Sequence, residues 1–204
     1  MTRARIAVLV SGGGTNLQAL LDAEKSGVIQ SGNIELVISN KAGAYALERA
    51  KNAGVRAETV LRSELGSQAA FEARIVELLT ENEIDVIVLA GFLSILSEEF
   101  TRRYDHRILN VHPSLIPSFC GVGYYGLRVH EAALARGVRL TGATVHFVNE
   151  IADGGDIIMQ KAVAVLDGDT PEILQKRVME EAEWLILPQS TELVCATLVK
   201  AKTN

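Results

Sequence analysis

The alternation of short apolar runs with amphipathic segments constrains the fold of this 204-residue chain most strongly. Apolar runs typical of buried strands lie at 5–10, 34–39, 85–89 and 108–111. The segments between them carry apolar residues at three- and four-residue spacing, which is typical of helices. Such alternation predicts an α/β, Rossmann-like fold: a mostly parallel, twisted sheet with helices on both faces. Segments 144–148 and 157–165 predict an antiparallel edge near the C-terminal part.

Composition narrows the class of protein. Hydrophobic residues make up 48% of the chain and charged residues 22%, which is typical of a globular protein, and the length suits one domain over 1–204. The net charge of −5 argues against nucleic acid as a partner, because no basic excess replaces phosphate counterions. No apolar run reaches the roughly 18 residues of a membrane helix, and no signal peptide is predicted. The free cysteines, Cys120 and Cys195, fit a cytoplasmic protein.

A glycine-rich turn, Ser11-Gly12-Gly13-Gly14-Thr15-Asn16, joins the first strand to the first helix. Glycines allow a sharp turn and close approach to a ligand, and N–H groups at a helix start favour an anion. The side chains of Thr15 and Asn16 add donors. An ordinary tight turn without a ligand is the alternative. A phosphomonoester fits better than a dinucleotide or a nucleoside triphosphate, because the third glycine and the Walker lysine are missing.

Asn110 and His112 lie two residues apart at the end of a predicted strand, so both side chains point to one side. A histidine there can stabilise an oxyanion, and the asparagine amide can donate to the same oxygen. A histidine hydrogen-bonded to loop carbonyls is the alternative. Since ligands of such sheets bind beyond the carboxyl ends of the strands, segments 11–16, 91–96 and 110–126 are predicted to form the site.

Other reactive residues give weaker signals. Asp153-Gly154-Gly155-Asp156 is an ordinary turn by default, but a contact of Asp153 with His112 would raise the histidine pKa and favour the imidazolium. His146, in an apolar strand, is interpreted as structural. The histidines and cysteines lack metal-ligand spacing, so no metal site is predicted. Cys120 could act as a nucleophile beside His112, without support from its position.

Seven ordered segments carry a resemblance to a known family: SGGGTN, ISNK, LAGFLSILS, NVHPSLIPSF, TGATVHFV, DGGDII and AEWLILP. Together they resemble the phosphoribosylglycinamide formyltransferases across nearly the whole chain. The resemblance implies transfer of the formyl group of 10-formyltetrahydrofolate, a cosubstrate, to the amine of 5-phosphoribosylglycinamide in de novo purine biosynthesis, without a metal. It implies one formyltransferase domain, with a phosphate-substrate half over about 1–105 and a catalytic and folate half over about 106–204, as a monomer or homodimer.

The resemblance also assigns site residues. The family's catalytic residues match Asn110, His112 and Asp153. Its substrate-binding residues match Gly14, Thr15, Asn16 and Glu183. Its folate-binding residues match Leu93, Ser94, Ile95, Leu96, Asn110 and Val148. The chain departs from the family pattern at Gln68 and Ser94, where arginines occur in other members, and at the long loop 118–128, where Arg128 replaces a histidine.

Two other functions stay open at this point. A 10-formyltetrahydrofolate hydrolase would use the same three catalytic residues with water as the nucleophile, but it needs no phosphate-binding turn. A non-catalytic Rossmann-like module would bind a sugar phosphate and transfer no formyl group.

Overall fold

The structure, a computed structural model, describes residues 3–203. Seven strands are present there: β1 (Ala4–Val10), β2 (Gly32–Ser39), β3 (Arg56–Thr59), β4 (Val86–Leu89), β5 (Ile108–His112), β6 (Leu140–Phe147) and β7 (Ile157–Ala164). The helices are α1 (Thr15–Ser26), α2 (Tyr45–Asn52), α3 (Arg62–Leu65), α4 (Gln68–Glu81), α5 (Glu98–Arg103), α6 (Leu127–Arg136), α7 (Pro171–Val178) and α8 (Trp184–Thr203). A π-helical segment, Met179–Glu183, joins α7 to α8.

All seven strands form one sheet in the order β3-β2-β1-β4-β5-β6-β7. Strands β1 to β5 pair in parallel, whereas β6 runs antiparallel to both β5 and β7. The predicted mostly parallel sheet with an antiparallel edge is therefore confirmed. The chain passes from β1 to β2 and β3 on one side, and later to β4 and β5 on the other. The carboxyl ends of β1 and β4 thus flank the reversal of strand order, where such sheets bind ligands.

Helices cover both faces of the sheet, because successive strand residues point to opposite sides. Val8 and Val10 of β1 join a buried apolar cluster that includes residues of α1, α7 and α8. Ala7 and Leu9 join a second cluster that includes residues of α4 and α5. Among residues 3–203, no helix combines the length and apolar character needed to span a membrane.

Ser97 followed by two glutamates, and Thr170 followed by Pro171 and Glu172, predict two helix starts, and capping hydrogen bonds confirm both. Ser97 Oγ accepts a hydrogen bond from the Phe100 N–H at 3.2 Å, at the start of α5. Thr170 Oγ1 accepts one from the Ile173 N–H at 3.3 Å, with Pro171 at the first helical position of α7. Each cap satisfies one of the N–H groups that a helix start leaves unpaired.

Proline at position 188 predicts a kink or break in the last helix, and the break is not present. Helix α8 continues through Pro188, and the irregular segment is the π-helical one, which ends five residues earlier. A proline removes one N–H donor, but Leu187 and Val194 on either side are buried in the core, so packing holds the helix through this position. The π-helical segment contains Glu183, and such insertions often occur at functional sites.

Candidate active site

The end of β5 places Asn110 and His112 on one side of the sheet, as predicted. His112 is almost fully buried, with 4% of its surface exposed. Its Nδ1 lies 3.4 Å from Asp153 Oδ2. Its Nε2 lies 2.8 Å from the Phe119 carbonyl oxygen, to which it donates a hydrogen bond. The contact between Asp153 and His112, which spacing alone left open, is therefore present.

Asp153 is held in the turn between β6 and β7. Its Oδ2 accepts a hydrogen bond from the Gly121 N–H at 2.8 Å, and its Oδ1 lies 3.5 Å from His146 Nε2. The next glycines let the turn press against the sheet, since a Cβ on Gly155 would lie 1.9 Å from the Phe147 carbonyl oxygen. The turn therefore places the Asp153 carboxylate next to His112 at the end of β5.

His146 was interpreted as structural from the sequence, but its ring belongs to this cluster. Its Nδ1 donates to the Phe147 carbonyl oxygen at 2.7 Å. Asn110 Nδ2 lies 3.2 Å from its Nε2. The useful signal was the strand register, which places His146 directly opposite Asn110. The apolar pattern of the strand gave no indication of that pairing.

The protonation states follow from burial and neighbouring charges. Burial lowers the pKa of His112, and the Asp153 carboxylate opposes this effect without overcoming it. Contact with Asp153 raises the His112 pKa, as expected, but the cost of burying the charged ring outweighs this attraction, so the imidazolium is not favoured. Burial alone would raise the pKa of Asp153, but His146, the Gly121 N–H and His112 together lower it. The resting pair is a neutral imidazole beside a carboxylate.

Other reactive groups near this cluster contribute less. Cys120 lies between the two loop residues that bind His112 and Asp153, and its thiol donates to the Pro117 carbonyl oxygen at 3.3 Å. Burial and the Asp153 carboxylate raise the pKa of this thiol, which disfavours the nucleophilic thiolate. No group of three or more His, Cys, Asp or Glu side chains suited to a metal ion occurs among residues 3–203.

The glycine turn lies at the end of β1 and starts α1. Gly14 has φ +72°, and a Cβ there would lie only 2.7 Å from Ala46 Cβ, so both backbone conformation and space require glycine. No side chain caps this helix start. The first N–H groups of α1, beginning with Thr15, are therefore available to an anion.

Asn16 and Glu183 meet beneath this turn. Asn16 Nδ2 donates to Glu183 Oε2 at 2.7 Å, and both side chains are buried. Burial raises the pKa of Glu183, and the hydrogen bond from Asn16 opposes the rise. Asn16 Oδ1 has no hydrogen-bond partner among the described residues. The predicted substrate residues are thus brought together, with the Asn16 amide directed at Glu183.

The loop after β4 borders an open cavity of about 550 Å³. The lining residues are Arg62, Gln68, Leu93, Ser94, Ile95, Leu96 and Ser97. Ser94 Oγ accepts from Asn40 Nδ2 at 2.7 Å. The Leu93 N–H donates to Ser11 Oγ at 2.9 Å, which ties this loop to the glycine turn.

Val148 is a predicted folate position, and Gln68 is one of the departures from the family pattern. Val148 is not among the lining residues of that cavity, and its N–H donates to the Ile108 carbonyl oxygen at 2.9 Å. Gln68 Nε2 donates to Glu72 Oε1 at 2.6 Å and to the Ile95 carbonyl oxygen at 3.1 Å. Gln68 thus fixes the loop after β4 and places no positive charge there.

Comparisons with known proteins identify relatives of this chain. The family model described as formyl transferase matches residues 4–191. The chain is 44% identical over 202 residues to the trifunctional purine biosynthetic protein adenosine-3 of Bos taurus. The aligned region is 99% of this chain and 19% of that protein. It thus spans about a fifth of that relative's length.

Shorter relatives match over most of their own length. The phosphoribosylglycinamide formyltransferase of Escherichia coli K12 is 42% identical over 176 residues, which is 86% of this chain and 80% of that protein. The crystal structure of glycinamide ribonucleotide transformylase 1 from Symbiobacterium toebii matches with a TM-score of 0.89 and 42% identity, over 96% of this chain and 89% of that one. The chain belongs to the formyl transferase family.

Proposed function

We propose that the protein transfers the formyl group of 10-formyltetrahydrofolate to the amine of 5-phosphoribosylglycinamide, a step of de novo purine biosynthesis. The observation that carries this proposal is the convergence of Asn110, His112 and Asp153 on the sheet edge that also holds the glycine turn. The side chains of Asn110 and His112 can donate hydrogen bonds to an oxyanion, and the N–H groups of the glycine turn can bind a phosphate. The names of the relatives above support the same reaction.

The two substrates would approach the cluster from different elements. The phosphate would bind the N–H groups of Gly14, Thr15 and Asn16, in the half of the domain over about 1–105. The ribose hydroxyls would bind Glu183, whose carboxyl lies beneath the same turn. The folate would pack against 93–96 and reach the catalytic half over about 106–204.

In the reaction the amine nitrogen bonds to the formyl carbon, and the folate nitrogen leaves the same carbon. The neutral amine attacks the formyl carbon, a C–N bond forms, and the carbonyl electron pair moves to oxygen. The resulting oxyanion accepts hydrogen bonds from the Asn110 amide and the His112 ring. The amine proton passes by way of the ionised Asp153 carboxylate, directly or through a water, to the folate nitrogen. The oxyanion electron pair then re-forms the C=O bond, the bond between the formyl carbon and the folate nitrogen breaks, and tetrahydrofolate departs. Donors placed for such an oxyanion typically contribute about 2.7–4 kcal/mol each.

His112 would act in this step as a neutral hydrogen-bond donor. Its Nε2–H already donates to an oxygen, the Phe119 carbonyl, at 2.8 Å. The formyl oxygen would replace that carbonyl oxygen when both substrates are bound. A neutral ring suits this role, because the buried cluster keeps the pKa of His112 below its ordinary value and the ring still carries one N–H.

The proposed activity is tested by following the release of tetrahydrofolate from 10-formyltetrahydrofolate. We expect release only when 5-phosphoribosylglycinamide is added, with one formylated product formed for each tetrahydrofolate. Glycinamide without the ribose phosphate is the matched control and should support far less release. Equal release without the amine would instead identify a hydrolase, and tight binding of the phosphate substrate without any transfer would identify a binding module.

A further inference from the structure

Helix α2 contacts the glycine turn through two hydrogen bonds to consecutive carbonyl groups. The Ala46 N–H donates to the Gly12 carbonyl oxygen at 3.1 Å. The Arg49 Nε–H donates to the Gly13 carbonyl oxygen at 2.8 Å. The Gly12 and Gly13 carbonyl groups therefore both face α2.

These two contacts fix the direction of the neighbouring N–H groups. In a trans peptide the C=O and N–H bonds point in opposite directions. The N–H groups of Gly13 and Gly14 thus point away from α2. Gly12 and Gly13 are exposed, and a Cβ built on either residue would have no atom within 4 Å. Neither the Gly13 N–H nor the Gly14 N–H donates a hydrogen bond to a backbone group of the described residues, so both are available beside the start of α1, where the phosphate is proposed to bind.

Three consecutive glycines do not favour this arrangement on their own. Without Cβ atoms, their peptide planes rotate at little steric cost, so the carbonyl groups could turn toward the phosphate and repel it. Arg49 restrains the turn at its centre and also reaches α1, since its guanidinium donates to Gln18 Oε1 at 3.0 Å. The guanidinium lies 5.0 Å from the centre of the Tyr45 ring, which restrains the arginine in turn.

We propose that Arg49 is a positioning residue of the phosphate site. It holds the Gly13 carbonyl toward α2, so that the Gly14 N–H, together with that of Gly13, is directed at the phosphate of the substrate. Its positive charge is held next to the turn by the hydrogen bond to the Gly13 carbonyl oxygen, and this charge also favours a bound dianion. The inference rests on the proposed function, and it names the residue that keeps the glycine turn ready to bind a phosphate.

The inference is tested with the variants Arg49→Met and Arg49→Lys. Methionine keeps much of the apolar stem but donates no hydrogen bond, whereas lysine keeps the charge and can reach one acceptor. We expect Arg49→Met to raise the KM for 5-phosphoribosylglycinamide about tenfold or more, the size of effect that loss of a charge-assisted hydrogen bond produces. The kcat and the KM for 10-formyltetrahydrofolate should change less than about twofold, and Arg49→Lys should recover part of the loss.

The matched control is Arg74→Met, because Arg74 is also a helical arginine, lies on α4 and pairs only with Glu77 at 2.9 Å among the described ion pairs. It should leave every kinetic constant unchanged. Equal KM values for the amine substrate in Arg49→Met and Arg74→Met would overturn the inference. An equal rise in both KM values of Arg49→Met would do the same, since it would indicate a general structural defect.

A binding measurement separates this inference from the proposed reaction. Calorimetric titration with ribose 5-phosphate requires no formyl transfer, and we expect Arg49→Met to weaken its affinity about tenfold or more relative to Arg74→Met. If the unmodified protein binds ribose 5-phosphate but transfers no formyl group, the proposed function fails and the affinities still decide the role of Arg49. Undetectable binding to the unmodified protein, or equal affinities for both variants, would contradict the positioning role.

Discussion

Replacing His112 by alanine is expected to lower the kcat of formyl transfer at least about 100-fold. The substitution removes the His112 Nε2–H, which donates to the Phe119 carbonyl oxygen in the structure. The oxyanion would then keep only the hydrogen bond from the Asn110 amide. The KM for 5-phosphoribosylglycinamide should change little, because the phosphate and ribose contacts lie at the glycine turn and Glu183. Steady-state kinetics with both substrates varied provides the measurement.

Asp153→Asn is expected to cause a loss of similar size. Asparagine keeps the shape of the side chain and tolerates the φ of +54° found at this position, where most other residues would be strained. It removes the charge that accepts the proton of the attacking amine. Since the pKa of Asp153 is lowered, the carboxylate stays ionised across the neutral pH range.

The control for both variants is His106→Ala, because His106 is exposed and lies outside the cluster. It should retain normal turnover. Circular dichroism and ribose 5-phosphate binding must first show that the His112 and Asp153 variants are folded. Near-normal kcat in either folded variant would refute the catalytic assignment.

The second large expected effect concerns stability in acid and arises from His130. This ring is fully buried in α6, and neither of its nitrogens has a hydrogen-bond partner among the described residues. Burial, with a smaller contribution from His112, lowers the pKa of His130 from 6.5 to about 4. In the unfolded chain His130 therefore binds a proton below about pH 6.5, whereas in the folded chain it binds one only below about pH 4. The free energy of unfolding should fall over this range by about 3 kcal/mol from this residue alone.

His130→Leu should remove that contribution. Between pH 7 and pH 4 its free energy of unfolding should fall about 3 kcal/mol less than that of the unmodified protein. At pH 7 the variant should be at least as stable, because leucine replaces a side chain with unpaired buried polar atoms. Urea denaturation at the two pH values gives both quantities.

His106→Gln is the matched control for this measurement. The pKa of the exposed His106 is raised by its hydrogen bond to Asp105, so any stability that it contributes is present at low pH and lost as the pH rises. That is the opposite sign from His130. An unchanged pH dependence in His130→Leu would show that the buried ring is not what destabilises the protein in acid.

The sheet could be predicted from the sequence because its information is local. The apolar run at 5–10, the glycine turn and the Asn110-Val111-His112 pattern each specify a strand or its end without reference to distant residues. In a parallel sheet the carboxyl ends of strands meet at one edge. Placing Ser11 and His112 at the same edge therefore followed from the topology.

The rest of the site depends on contacts between segments far apart in sequence. His146 faces Asn110 only because β5 and β6 pair antiparallel in one register, and a shift by one residue would have moved it to the other face. Asn16 meets Glu183 across 167 positions, and burial decides the direction of the His112 pKa. The π-helical segment escaped prediction as well, since Pro188 was the only visible irregularity nearby.

A crystal structure with 5-phosphoribosylglycinamide and a non-transferable analogue of the formyl folate would test the proposed roles of Asn110, His112 and the glycine turn. We expect the phosphate to lie on the N–H groups of the glycine turn. We also expect the oxygen of the formyl analogue to lie within hydrogen-bond distance of Asn110 Nδ2 and a His112 ring nitrogen, with the amine next to the adjoining carbon. A formyl analogue bound away from His112, or a phosphate bound away from the glycine turn, would contradict these roles.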